Sequence, residues 1–186
     1  MASTADFRTG FVIEIDGDLL QIVDFQHVKP GKGGAFVRTK LKKVLTGAVL
    51  DKTFRAGEKV NDVRLETRVM QYLYADGDLF YFMDTASYEQ FPVSKSVLAD
   101  QVLYLKENIE VSGLFRDETL LLIELPFFIN LEVVETDPGM KGDTVSGGSK
   151  PAKLESGATV NVPLFIEIGD VIKVDRRTNE YLERAN

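Results

Sequence analysis

The sequence predicts a mostly β protein built from small barrels or sandwiches. Turns rich in glycine and aspartate recur about every ten residues between runs of Val, Ile, Leu, Phe and Tyr, a rhythm typical of short antiparallel strands. Only one segment, Ser94–Leu105, combines an N-cap with helix-like apolar spacing. Alternating βαβ units are therefore not predicted.

The composition is that of an ordinary folded protein. Of the 186 residues, 44% are hydrophobic and 27% are charged, which fits one to three small domains. There is no apolar run of about 18 residues, and the N-terminus lacks the basic-then-apolar order of a secretion signal. We therefore expect a cytoplasmic protein without membrane contact. Because the chain has no cysteine, disulfides, thiol nucleophiles and Cys-type zinc sites are excluded.

The turn pattern divides the chain into three blocks: residues 1–62, 63–127 and 128–186. The first is a basic β unit that ends in the polar segment RAGEKVND. In the middle block the helical segment lies among four strand-like stretches: Arg64–Tyr74, Leu79–Met83, Ile109–Phe115 and Leu120–Leu125. Strands with one inserted helix are typical of the OB-fold, a five-stranded barrel that often binds nucleic acid. The third block opens with FFINLEVVET and closes with VNVPLFI, DVIKVD and EYLER.

Charge is distributed unevenly along the chain. The net charge of −7 argues against a nucleic-acid partner, but residues 1–60 hold ten Lys/Arg against seven Asp/Glu, and residues 61–186 hold twelve against twenty-two. Between Phe25 and Leu50 there are six basic residues and no acidic one. This asymmetry suggests a basic end that contacts phosphate and an acidic remainder that limits nonspecific binding. A solvated basic strand is the alternative.

A hairpin with one cationic face is predicted in the first block. The strand-like run Leu19–Val28 is followed by the turn Lys29–Gly34 and by a second strand. Side chains of a strand alternate between two faces. In the second strand the packing face carries Ala35, Val37, Thr39 and Leu41, and the cationic face carries Phe36, Arg38, Lys40 and Lys42.

The turn isolates one cation, Lys32. Its neighbours in the turn are Lys29, Pro30, Gly31, Gly33 and Gly34. Three glycines in four residues cost up to about 1 kcal/mol each in folding entropy relative to alanine, which favours close approach to another surface. A phosphate-binding P-loop is disfavoured, because Gln26 and Gly33 stand where that motif needs Gly and Ser or Thr. A plain exposed tip stays open.

Groups suited to catalysis or metal binding are few. His27 is the sole histidine and has no second His or Cys beside it. Paired carboxylates lie in turns or on polar strand faces and are interpreted as surface charge: Asp76/Asp78, Asp117/Glu118 and Glu132/Glu135. None of the common hydrolase, zinc-protease or dinucleotide motifs occurs. We expect no catalytic residue, no metal and no cofactor, and therefore not an enzyme.

A long polar loop, Asp137–Lys150, is predicted in the last block. Its length exceeds that of ordinary connections. Within it, Gly142, Asp143 and Thr144 offer backbone N–H groups, a carboxylate and a hydroxyl, which suit base edges or a 2′-hydroxyl. A flexible surface loop is the alternative.

Motifs along the whole chain resemble one family. The hairpin turn reads Lys29-Pro-Gly-Lys-Gly33, and the last block carries Thr136-Asp-Pro-Gly139 and Lys141-Gly-Asp-Thr144. The most specific stretch is KPAKLESGATVNVPLFIEIG, residues 150–169. On these residues the chain resembles bacterial elongation factor P, a relative of the eukaryotic and archaeal translation factor five A.

The resemblance implies an SH3-like, KOW-type barrel over residues 1–62 and OB-folds over residues 63–127 and 128–186, arranged as an L that resembles tRNA. It implies a monomeric elongation factor that binds the ribosome between the peptidyl and exit tRNA sites. There it would stimulate peptide-bond formation at consecutive prolines by positioning the peptidyl-site tRNA. The implied partners are rRNA of both subunits, that tRNA, the exit-site mRNA codon and a Lys32-modifying enzyme.

The resemblance also assigns roles to residues. Lys32 would approach the peptidyl-transferase centre; in many relatives this lysine is extended by β-lysine or a five-carbon alcohol, and other lineages carry a rhamnosylated arginine. Gly142, Asp143 and Thr144 match the loop that contacts the exit-site codon. Contacts with tRNA and rRNA are expected from Arg38, Lys40, Lys42 and Lys43.

Two alternatives stay open. One is the elongation-factor-P-like paralogue, which the lysine tip and the Gly-Asp-Thr loop disfavour. The other is a general single-stranded RNA-binding OB-fold protein, which would bind free RNA as well as it binds ribosomes.

Overall fold

Three β-sheets follow one another along the chain. The computed structural model describes residues 1–139 and 148–185, and strands dominate this part of the protein, so the prediction of a mostly β fold is confirmed. The chain forms two compact units. One consists of Met1–Glu66 with Leu114–Leu121, and the other of Thr67–Gly113 with Leu122–Asn186. The division into three domains stays a prediction.

The first sheet has six strands in the order β1-β6-β2-β3-β4-β5. Their bounds are β1 Ala2–Ser3, β2 Val12–Ile15, β3 Asp18–Val28, β4 Phe36–Lys43, β5 Val49–Arg55 and β6 Lys59–Asp62. The sheet encloses a hydrophobic core of eight buried residues: Phe7, Ile13, Leu20, Ile22, Val37, Leu41, Phe54 and Val60. A short 3-10 turn, Thr4–Asp6, is capped by Ser3, whose hydroxyl accepts a hydrogen bond from the Ala5 N–H.

The predicted alternation of the hairpin is confirmed in β4. Val37, Thr39 and Leu41 are buried, and the three basic side chains between and after them are exposed. The buried Thr39 hydroxyl donates to the Lys52 carbonyl oxygen at 2.7 Å, so the polar group that enters the core has a partner.

The second sheet has five strands in the order β11-β10-β7-β8-β9. Their bounds are β7 Glu66–Asp76, β8 Leu79–Asp84, β9 Gln90–Ser94, β10 Glu110–Arg116 and β11 Thr119–Glu124. The sequence pattern missed β9 because Pro92 lies within it. Proline cannot donate to the strand ladder and is confined to edge strands, and β9 is the edge strand of this sheet.

The predicted helix is shorter than its apolar spacing suggested. The α-helix α1 comprises only Lys95–Leu98, and a 3-10 helix, Ala99–Tyr104, continues the segment. Ala99 has φ 51°, in the left-handed region that an α-helix of L-residues does not enter. The regular helix therefore stops after about one turn.

The third sheet has five strands in the order β14-β13-β12-β15-β16. Their bounds are β12 Phe128–Thr136, β13 Ser149–Leu154, β14 Thr159–Pro163, β15 Val171–Asp175 and β16 Glu180–Arg184. Ser149 and Lys150, predicted to belong to a loop, are the first residues of β13. Lys150 is buried, and its ammonium donates a hydrogen bond to the Asp137 carbonyl oxygen. This hydrogen bond offsets part of the free-energy cost of burying the charge.

Each compact unit contains polar contacts between residues far apart in sequence. In the first, Arg116 makes two hydrogen bonds to the Glu14 carboxylate, at 2.9 and 3.3 Å. The hydrogen bond from Arg116 lowers the pKa of Glu14. In the second, the Tyr104 hydroxyl donates to Asn179 Oδ1 at 2.6 Å.

No helix in residues 1–139 and 148–185 is long and apolar enough to cross a membrane.

Asp84 gives a stability prediction for the second unit. Its Oδ1 accepts hydrogen bonds from the Ala86 and Ser87 N–H groups, and Oδ2 lies 3.6 Å from Arg68 Nη1. The hydrogen bond from the Ala86 N–H is the main reason that the Asp84 pKa is lowered. The ionised carboxylate therefore contributes stability above the ordinary carboxyl pKa, and this contribution is lost as the pH falls through the lowered pKa.

We expect Asp84→Asn to reduce the free energy of unfolding at pH 7 by about 1–2 kcal/mol, because the charge-assisted hydrogen bonds weaken. Urea denaturation at pH 7 and at about pH 2.5, below the usual carboxyl range, should show that the difference from wild type shrinks in acid. Asp78→Asn, at the exposed turn before β8, is the matched control. A difference that stays constant over this pH range would contradict the assignment.

Candidate functional site

The candidate site is a hairpin arm formed by β3 and β4. The two strands pair from Leu20 with Lys43 to Val28 with Phe36, with a register shift between Ile22 and Asp24. Strand β5 pairs with the other side of β4, from Arg55 opposite Phe36 to Val49 opposite Lys42. His27 is an exposed strand residue whose ring lies edge-on to Phe25 at 5.8 Å.

The turn from Lys29 to Gly34 is exposed throughout. The Lys32 ammonium has no hydrogen bond or ion pair with any residue that the structure describes. Gly33 has φ 108°, a conformation that L side chains rarely adopt. An added Cβ at Gly31 or Gly34 would have no atom within 4 Å. Of the three turn glycines, only Gly33 therefore needs glycine for its conformation, and Gly31 and Gly34 leave the surroundings of Lys32 open.

The part of the cationic face nearest the tip carries two arginine side chains that form no ion pair with any described residue. Arg38 lies opposite Gln26 on β3 and Thr53 on β5, and its guanidinium carbon is 5.4 Å from the centroid of the Phe36 ring. Arg55 lies opposite Phe36 and is exposed on the same face. The sequence prediction omitted Arg55, because nothing in the sequence gives the register that brings the end of β5 to the tip of the arm.

The middle of the same face is not cationic. Lys40 lies directly opposite Asp24 on β3 and Asp51 on β5. All three side chains are exposed, and none forms an ion pair with another described residue. Opposed side chains in a sheet have Cβ atoms about 5 Å apart, so Lys40 has an acidic residue beside it on each neighbouring strand. The basic face predicted for β4 is therefore bordered at this level by one acidic residue on each neighbouring strand, and the binding role of Lys40 stays a prediction.

The base of the face carries the other two predicted cations. Lys42 is exposed between Gln21 and Val49. Lys43 is half-buried and its ammonium lies 2.8 Å from Asp18 Oδ2, so its charge is already paired within the protein. The flank of the arm has a shallow depression of about 380 Å³ lined by Asp24, Phe25, Gln26, Arg38, Thr39, Lys40, Asp51, Lys52 and Thr53.

The remaining predicted site lies outside the described residues. Gly142, Asp143 and Thr144 fall in the segment 140–147, so the exit-site codon loop stays a prediction. Among the described residues, no group of three or more His, Cys, Asp or Glu side chains is placed to hold a metal ion.

Comparison with known proteins assigns the fold and the family. Family models match three consecutive stretches: the elongation factor P KOW-like domain over residues 3–60, its OB domain over residues 65–123, and its C-terminal domain over residues 129–184. The solved structure of eukaryotic translation initiation factor 5A from Methanococcus jannaschii matches with a TM-score of 0.50 and 22% identity, covering 66% of this chain and 94% of that one. This likeness shows the fold alone.

Curated relatives are similar over their full length. Elongation factor P of Moorella thermoacetica is 58% identical over 185 residues, covering all of both chains. Elongation factor P of Natranaerobius thermophilus is also 58% identical, covering all of this chain and 98% of the relative. The fold and these matches define a translation elongation factor of KOW-like and OB domains, a class of factors and not of enzymes. The chain belongs to the elongation factor P family.

The glycines of the tip give a second stability prediction. Gly33→Ala should weaken local closing of the hairpin by about 1–3 kcal/mol, because alanine is strained at positive φ. Gly31→Ala should leave it unchanged or strengthen it by up to about 1 kcal/mol, because the position is open and alanine restricts the unfolded chain. Amide hydrogen exchange of Val28 and Phe36, which flank the turn, measures this closing. Equal exchange in the two variants would contradict the conformational distinction.

Proposed function

We propose that this protein binds the ribosome between the peptidyl and exit tRNA sites and stimulates peptide-bond formation at consecutive prolines. One observation carries the proposal: Lys32 is an exposed, unpaired cation on a slim glycine-rich tip, among the residues that the structure describes. Membership in the elongation factor P family supports a role in translation. The proposal places the protein in the cytoplasm, as a monomer.

The arm places Lys32 at one end of the first sheet, in the turn between β3 and β4. Strand β4 has eight residues, which span about 26 Å in an extended strand. Its buried face is anchored by Val37 and Leu41, both 0% exposed. Because Val37 lies next to the tip end of β4, the strand is packed in the core along most of its length. The exposed turn Lys29–Gly34 is the part that can enter a narrow RNA-lined space.

The proposed contribution to catalysis is orientation. Proline is a poor participant in peptide-bond formation, and the proposal assigns the arm neither a nucleophile nor a general base. Holding reacting groups in a productive geometry can lower a barrier by several kcal/mol. In this proposal Lys32 contacts the acceptor end of the peptidyl-site tRNA, and Arg38 and Arg55 bind its phosphates. The reaction is then catalysed by the ribosome, and the protein assists it.

Two further partners belong to the proposal. The exposed Lys32 amine is open to a modifying enzyme, because no described residue covers or pairs it. The residues Gly142, Asp143 and Thr144 would contact the exit-site codon, a role that rests on the motif alone.

Replacement of the tip lysine tests the proposal directly. We expect Lys32→Ala to abolish the stimulation of a Pro-Pro-Pro reporter in reconstituted translation, because the terminal cation is removed. The unfolding curve should not change, since Lys32 has no partner among the described residues. Lys59→Ala, which removes an exposed cation from β6 of the same sheet, is the control and should keep activity. Normal reporter synthesis with Lys32→Ala would sink the proposal.

Charge reversal on the arm tests phosphate binding. We expect Arg38→Glu combined with Lys40→Glu to weaken ribosome binding, and the loss should depend on salt because phosphate contacts release counterions. Of the single changes to glutamine, Arg38→Gln should cost more affinity than Lys40→Gln, since only Lys40 is flanked by carboxylates. Co-sedimentation with ribosomes over a salt series measures both effects. An affinity that is the same at each salt concentration would count against phosphate binding.

A further inference from the structure

The exposed face of the arm is divided into cross-strand rows of different charge. From the tip inward, the strand pairings define Val28–Phe36–Arg55, then Gln26–Arg38–Thr53, then Asp24–Lys40–Asp51, and then Gln21–Lys42–Val49. The first two rows each carry one positive charge, and the third has a formal charge of −1, because two carboxylates flank one ammonium. The row of Lys40 therefore separates a cationic tip half from the base.

This arrangement limits how a polyanion can lie on the arm. Successive rows are two residues apart along the strand, or about 6.6 Å. A phosphate beside Arg38 is attracted, whereas one beside Lys40 also lies next to the carboxylates of Asp24 and Asp51. Like charges about 6 Å apart repel each other measurably even in a medium of high dielectric constant, provided that the salt concentration is low. Lys40 is thus a weak phosphate ligand although it is exposed and basic.

We propose that Asp24 and Asp51 are specificity-determining residues that restrict RNA phosphates to the tip half of the arm. They oppose binding at the Lys40 row, so that an RNA backbone is accepted mainly in the register that contacts Arg38 and Arg55. This inference rests on the proposed function in that the bound polyanion is RNA. It adds that two acidic residues set the position of the arm on the RNA, and with it the position of Lys32.

The experiment measures the affinity of the full-length protein for purified bulk tRNA at several salt concentrations. Asp24→Asn and Asp51→Asn should each raise the affinity about threefold to tenfold at low salt, because each removes one repulsive carboxylate. In the double variant the slope of log affinity against log salt should steepen by about 0.7–0.9, the value for one additional neutralised phosphate. Adding Lys40→Gln to the double variant should return the slope to that of wild type.

Asp16→Asn is the matched control. It makes the same change of charge in the turn before β3, and the first six residues of β3, about 20 Å of extended strand, separate this turn from Asp24. Asparagine tolerates the φ of 52° at this position. Affinities of the Asp24 and Asp51 variants equal to that of the Asp16 variant would overturn the inference, because net charge alone would then explain any gain. A slope unaffected by Lys40→Gln in the double variant would overturn it as well.

The tRNA measurement needs no ribosome, so the inference and the proposed function can fail separately. A gain in tRNA affinity that depends on Lys40, together with a Lys32→Ala protein that still synthesises the proline reporter, would support the inference and refute the proposed function. No gain, together with an inactive Lys32→Ala protein, would refute the inference alone.

Discussion

Strand β4 pairs with β3 along one side and with β5 along the other, and this double pairing determines the direction of each side chain on the arm. Val37, Thr39 and Leu41 are buried on one face, and Thr39 also donates its hydroxyl to the β5 backbone. A slip of one residue would turn this buried set to solvent and the basic set into the core. The register is therefore strongly determined. The positions of the turn, of Lys32 and of the charged rows all depend on it.

The charge of the molecule has to be considered at three scales. The whole chain is acidic, with a net charge of −7, and its first 60 residues are basic. On the arm itself the sign changes between neighbouring rows, because Asp24 and Asp51 flank Lys40 while Arg38 has neutral neighbours. A protein with a net negative charge can therefore bind RNA at a local basic surface, because salt screening limits the effect of each exposed charge to about 10 Å. The excess of acidic charge lies in residues 61–186, which hold twelve Lys/Arg against twenty-two Asp/Glu.

The tip combines a conformational need with an open environment. Gly33 occupies a φ that disfavours other residues, whereas Gly31 and Gly34 have open space where a side chain would begin. The fold thus explains one glycine of the three. For the other two, the proposed approach to a crowded RNA surface gives a physical reason, because a side chain beside Lys32 would widen the tip.

The local patterns of the sequence were sufficient for the mostly β fold, for the alternation of β4 and for the exposed lysine turn, because each depends on neighbours in the chain. They also carried the family resemblance, and the family matches confirm it. The edge strand β9 was missed because proline is compatible with a strand only at a sheet edge or bulge, which the sequence does not reveal. The early end of α1 was missed because an alanine gives no signal of the positive φ that Ala99 adopts. Only the tertiary structure paired Lys43 with Asp18, brought Arg55 beside Phe36, and set Asp24 and Asp51 on either side of Lys40. These contacts join residues on different strands, and strand register is a property of the packed sheet that no single strand contains.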